Sequence, residues 1–112
     1  MKDYIYHICL RTGWESAQKA GVYVGDTFAT EGFIHCSTRT QSVPTANSFF
    51  AGQSELVLLE IDPERLDANL IYEDTVGAGQ DFPHVYGELN LNAIIAVHDF
   101  KPGRDGKFTF PE

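Results

Sequence analysis

The chain has 112 residues, enough to bury one hydrophobic core and too few for a second, so a single domain over 1–112 is expected. A hydrophobic fraction of 43% with 12% aromatics excludes a disordered or merely solvating chain. The formal charge of −8, with Arg11, Arg39, Arg65 and Arg104 scattered, excludes a basic stripe for bulk nucleic acid or an anionic membrane.

The opening MKDYIYHICLRTGW has no basic segment leading into a long apolar run, and no later stretch approaches the ~20 apolar residues of a membrane span. Cys9 and Cys36 lie inside apparent strands without framework spacing, which predicts buried free thiols in a reducing, cytoplasmic compartment. Residues 4–10 alternate as a strand, with Tyr4, Tyr6, Ile8 and Leu10 on one face and Ile5, His7 and Cys9 on the other. Thr12 and Glu15 have capping-box spacing, which predicts a helix from Thr12 to about Ala20, closed by Gly21. Trp14 and Ala17 share its inner face.

A loop through Gly25 and Asp26 leads to a second strand over 31–37, where Phe33, His35 and Ser37 share one face and Ile34 and Cys36 the other. Thr38 and Gln41 repeat the capping-box spacing, so a second helix is expected from Thr38 to Phe50, with Pro44 near its first turn and Gly52 ending it. Ser37 then stands beside a helix N-terminus, whose free amides favour an anionic group. Leu56 to Ile61 is nearly all apolar, the pattern of a central strand covered on both faces. A helical turn at 62–66, a strand at 69–73, a surface loop from Asp74 to Pro83, a strand at 94–100 and a last short strand near 108–110 complete the chain. There is no internal repeat. Some six strands with two early helices predict an α+β fold on a mixed or mainly antiparallel sheet.

Three histidines occupy dense contexts: His7 in IYHI, His35 in EGFIHCS and His84 in FPHVYG. Imidazole changes charge near neutral pH and serves as base, acid, hydrogen-bond donor or metal ligand. If the first two strands are neighbours, the face assignments point His7 and His35 into one cleft, with Ser37 beside them. Tyr86 follows His84 by two residues and shares its face on an extended chain. His98 lacks such company. A metal could draw on His7, His35 and His84 with Glu31 or Glu88, but no HxH or HExxH spacing supports one, and none is assigned. GxSxG is absent, so Ser37 is expected to cap the helix or donate to a phosphate. Cys36 faces away from His35, which argues against a Cys–His pair.

Taken together, IYHI, EGFIHCST, the ANSFFAG run, LVLLEID and FPHVYGELN resemble a family of short bacterial proteins, the domain of unknown function DUF952, over nearly the whole chain. The resemblance implies an ADP-ribosylation-like fold, in which a small split, bent sheet grips NAD. In that fold the first strand carries a His or Arg, matched here by His7. A second strand carries a His or aromatic residue followed by Ser, matched by His35 and Ser37. A later strand offers a catalytic acid, for which Glu88 is the nearest carboxylate, and Glu31 and Glu73 are the other candidates for the carboxylate that orients the nicotinamide ribose.

The expectation is therefore a histidine-lined cleft that binds NAD or another small phosphorylated ligand. His35 and Glu88 are its catalytic candidates, and His7, Glu31, Ser37, His84 and Tyr86 contact the ligand. The RNA 2′-phosphotransferase branch of that fold relies on a basic surface, which this acidic chain lacks. A non-catalytic binding or protein-interaction module on the same fold is the alternative.

Overall fold

The computed structural model describes residues 3–25 and 28–111. Strand β1 (Ile5–Leu10) runs directly into helix α1 (Arg11–Ala20). The capping box expected at Thr12 does not form: the helix begins one residue earlier, with extended Leu10 at the N-cap and no side-chain cap. Continuity with the strand fixes this start, because the Arg11 amide is already paired with the Glu55 carbonyl at 2.9 Å. At the other end Gly21 closes the helix in the left-handed region (φ 89°), its amide donating to the Ala17 carbonyl. Trp14 and Ala17 face the core as expected.

Beyond Gly21 come β2 (Val22–Tyr23) and a four-residue helix α2 (Phe28–Glu31), both of which the sequence pattern left as loop. Asp26 of that loop lies outside the described residues. The second strand is shorter than expected. Only Ile34–His35 forms β3, Glu31 belongs to α2, and Ser37 pairs with β1 instead. Helix α3 (Arg39–Phe49) opens on the Thr38 capping box, in which the Thr38 amide donates to Gln41 Oε1 at 3.0 Å. Capping thus falls to Thr38 and Gln41, not Ser37. Pro44 stands inside α3, past the first turn.

Strand β4 (Leu56–Ile61) is the centre of a sheet ordered β1-β4-β8, where β8 spans Ile94–Phe100. Its apolar run follows from burial on both sides. Val57, Leu59 and Ile61 join Ile5, Cys9 and Tyr23 in one core cluster, with Trp14 of α1 packed against it. Leu56 and Leu58 join Tyr6, Ile8, Ala46 of α3, Phe100 and Phe108 in the other. Burying each of these leucines contributes about 1.5–3 kcal/mol. The two faces assigned to the first strand are thereby the two sides of this sheet.

A second sheet is ordered β3-β6-β5, with β5 at Asn69–Glu73 and β6 at Phe82–Tyr86; β2 pairs with β7 (Leu89–Asn90). The named pairings are antiparallel, the second of the two arrangements expected. The two larger sheets are stitched at one isolated bridge, Tyr6 to Ser37, whose amides and carbonyls exchange bonds of 2.8 and 2.7 Å. The expected last strand near Phe108–Phe110 is absent. That segment is held by side chains instead: the Phe108 ring packs on Phe100, its amide donates to Asn47 Oδ1 at 2.8 Å, and Phe110 meets Tyr6 edge-on. No helix among the described residues is long and apolar enough to cross a membrane.

Candidate functional site

His7 leaves β1 on the Ile5–Cys9 side and reaches the junction of the sheets. Its Nδ1 lies 2.5 Å from the His35 carbonyl and its Nε2 2.8 Å from the Tyr23 hydroxyl. A carbonyl only accepts, so Nδ1 carries the proton, and in the neutral ring Nε2 accepts from Tyr23. His7 thus ties β1, β2 and β3 together. Tyr23 is the member of this group that the sequence pattern did not single out, since a two-residue strand carries no period.

His35 and His84 are direct register partners across β3 and β6, and their rings stand 5.0 Å apart at 80°. Each is held by its own carboxylate. His35 Nε2 is 2.9 Å from Glu31 Oε2, four residues back at the end of α2, and both side chains are about 40% exposed, at 41% and 39%. His84 is buried, its side chain 3% exposed, with Nδ1 2.8 Å from Glu73 Oε2. The Tyr86 hydroxyl donates to the same oxygen in a short hydrogen bond. Phe33 lies flat on the His84 ring, 4.2 Å away at 17°, and also touches His35 and Tyr86. Donation by Tyr86 first, then by His84, holds the Glu73 carboxyl below its ordinary range, and the same bond pushes the Tyr86 phenol up.

His84 and His7 differ in how their nitrogens are used. Among the described residues no buried side-chain nitrogen or oxygen lacks a partner, yet His84 has a partner at Nδ1 alone. Its Nε2 therefore opens onto free space. That space is a cleft of about 1020 Å³ whose wall includes His7, Tyr23, Glu31, His35, Ser37 and His84. Among the described residues its lining has no Lys or Arg and one carboxylate, Glu31; most of it is apolar. The 74–81 loop supplies part of the wall through Val76 and Ala78. The Asp74 carboxylate gathers that loop by accepting from the amides of Val76, Ala78 and Gly79, at 3.3, 2.9 and 2.9 Å.

The structure brings His7, Glu31, His35, Ser37 and His84 to one cleft, while Tyr86 supports it from behind through Glu73. Glu88 is elsewhere: it is exposed beyond Gly87, and among the described residues it has no hydrogen bond to any of the histidines. Glu73, not Glu88, is the carboxylate bound to His84. The β5–β6 register is responsible, since it sets Glu73 opposite Phe82, two residues from His84. Cys36 is buried in the core cluster shared with Ile34, away from the His35 ring, and burial pushes its thiol far up. His98 is remote from the cleft and paired with Glu60 at 2.8 Å. No group of three or more His, Cys, Asp or Glu among the described residues is placed to hold a metal ion.

These features define a small α+β protein built on antiparallel sheets. The chain belongs to the DUF952 family, proteins of unknown function, whose family model matches residues 8–97. It is similar to protein CC0527 from Caulobacter crescentus. The crystal structure of that protein superposes with a TM-score of 0.85 at 34% identity, covering 95% of this chain and 93% of that one. Its solution NMR structure gives 0.82 at 35% identity, covering 93% and 90%. No curated protein matches the chain.

Proposed function

We propose that the cleft binds a nicotinamide nucleotide, NAD or an ADP-ribose-containing relative, on an ADP-ribosylation-like sheet, and that the protein acts in the cytoplasm. The observation that carries this reading is the junction itself. The sheets are stitched at Tyr6–Ser37, and His7, His35 and Ser37 converge where they part. A cleft of about 1020 Å³ is of the size that takes a cofactor. Its electrostatics orient the ligand. With Glu31 and no Lys or Arg among the described residues of the wall, the end lying against the histidines is the cationic nicotinamide riboside, and the phosphates lie toward Ser37 and the N-terminus of α3.

In the enzymatic form of this reading His35 hydrogen-bonds or transfers a proton, and Glu31 stabilises positive charge developing at the ribose C1′. Glu31 takes the role expected of Glu88 because it shares the cleft with the histidines. Cys9 and Cys36 are buried and outside any disulfide, which fits a reducing compartment.

The test is a titration of the purified protein with NAD, ADP-ribose and inorganic phosphate, read by the NMR signals of the histidine rings. Saturable shifts of His7, His35 and His84 with His98 unmoved are expected for the two nucleotides, and weak or absent shifts for phosphate alone. Unmoved rings with NAD at millimolar concentration overturn the proposal.

A further inference from the structure

A histidine that serves structure alone has both nitrogens occupied, as half-buried His7 does between the His35 carbonyl and Tyr23. His84 is more deeply buried, yet presents Nε2 to the cleft. Its ring is fixed on three sides, by Phe33 stacked on its face, by His35 at its edge and by Glu73 at Nδ1. Glu73 is fixed in turn by Tyr86. A carboxylate on Nδ1 sets the tautomer so that Nε2 accepts, and it stabilises the imidazolium that forms when Nε2 takes a proton. The same arrangement of a held, orienting carboxylate behind a histidine defines a general base. His35 differs again: its pair with Glu31 is open to solvent, and both stand on the cleft wall.

We infer that Glu73 and His84 form a general-base dyad that activates water against the ribose C1′ of a nicotinamide nucleotide bound in the cleft, so that the protein hydrolyses NAD. This rests on the binding reading above. The water oxygen bonds to C1′ as the C1′–N bond breaks. The bonding pair leaves with the nicotinamide ring nitrogen, whose positive charge it cancels, so the leaving group needs no acid. The water proton passes to His84 Nε2 and then to solvent. The products are nicotinamide and ADP-ribose, and no oxidant or further reactant is consumed. His84 touches the reacting water and is catalytic; Glu73 and Tyr86 are positioning residues.

Nicotinamide release from NAD by the full chain is followed by proton NMR, with the histidine-ring titration run on the same samples. Turnover by the wild type is expected. His84→Ala should lower kcat by about 10²–10⁴-fold with little change in KM, and free imidazole should restore part of the rate. Glu73→Gln should lower kcat with KM unchanged, which a merely structural role would not produce, and His98→Gln should leave the rate intact. Should His84→Ala fail to fold, Glu73→Gln and Tyr86→Phe carry the same comparison. NAD that binds but is not cleaved, or is cleaved at full rate by the folded dyad variants, overturns the dyad and leaves the binding reading standing. NAD that does not bind overturns both.

Discussion

Removing the Tyr23 hydroxyl is the cleanest probe of how the junction is held. Tyr23 is 5% exposed and its hydroxyl sits 2.8 Å from His7 Nε2, while Nδ1 is occupied by the His35 carbonyl. Tyr23→Phe keeps the ring and its 5.0 Å contact with the His7 imidazole, but strips the donor from a half-buried acceptor. An acceptor left without its partner costs about 1–3 kcal/mol. At about 2.1 cal/mol/K of unfolding entropy per residue, that is a fall in Tm of about 4–13 °C for a chain of this length. Urea titration with the denaturant slope held fixed measures the free energy, and ring nitrogen shifts of His7 report its tautomer. The reasoning predicts a lower midpoint with the Nδ1 proton retained, because the His35 carbonyl still demands a donor. A midpoint unchanged within about 0.5 kcal/mol, the range of a neutral surface substitution, would refute the view that this hydrogen bond is made in solution.

Three further outcomes follow from other parts of the molecule. Leu59→Ala, at a fully buried position in the central strand, should cost about 2–5 kcal/mol in the same urea titration. Glu73 has a folded pKa below its ordinary value of 4.5, so its stabilising contribution is complete above that value and is lost as pH falls through the lower folded one. Tyr86→Phe removes the largest cause of the depression and should flatten acid unfolding measured over that window. Cys36 should resist iodoacetamide at pH 8 in the folded protein and react once denaturant is added, which mass spectrometry of the labelled peptide checks.

What could be read from the residues alone depended on whether an element carries a period. The alternation over residues 4–10 and the apolar run over 56–61 reveal β1 and β4 because both are long and each face meets a different core cluster. The face of His7, and the pairing of His35 with the cleft, follow from that parity. Elements of two to four residues, β2 and α2, have no period to read, which conceals Tyr23 and places Glu31 on a strand when it is on a helix. Thr12 misleads because the Thr-x-x-Glu pattern is local, whereas the helix start is set by the strand before it and by Glu55. The contact of Glu73 with His84 is invisible for a different reason. It depends on the register between β5 and β6, a long-range choice that spacing along the chain does not encode.

The antiparallel pairing of β1 with β4 also shapes how the protein is made. Ile5 pairs with Ile61 and Leu10 with Leu56, and β4 in turn requires β8 near the end of the chain. Strand β1 therefore waits, with Ile5, Tyr6 and Ile8 uncovered, until β4 has been synthesised. His35 likewise waits for His84. Such non-local closure places folding in the slower range, about milliseconds to seconds, and makes the opening strand the segment most exposed to mispairing with a second nascent chain.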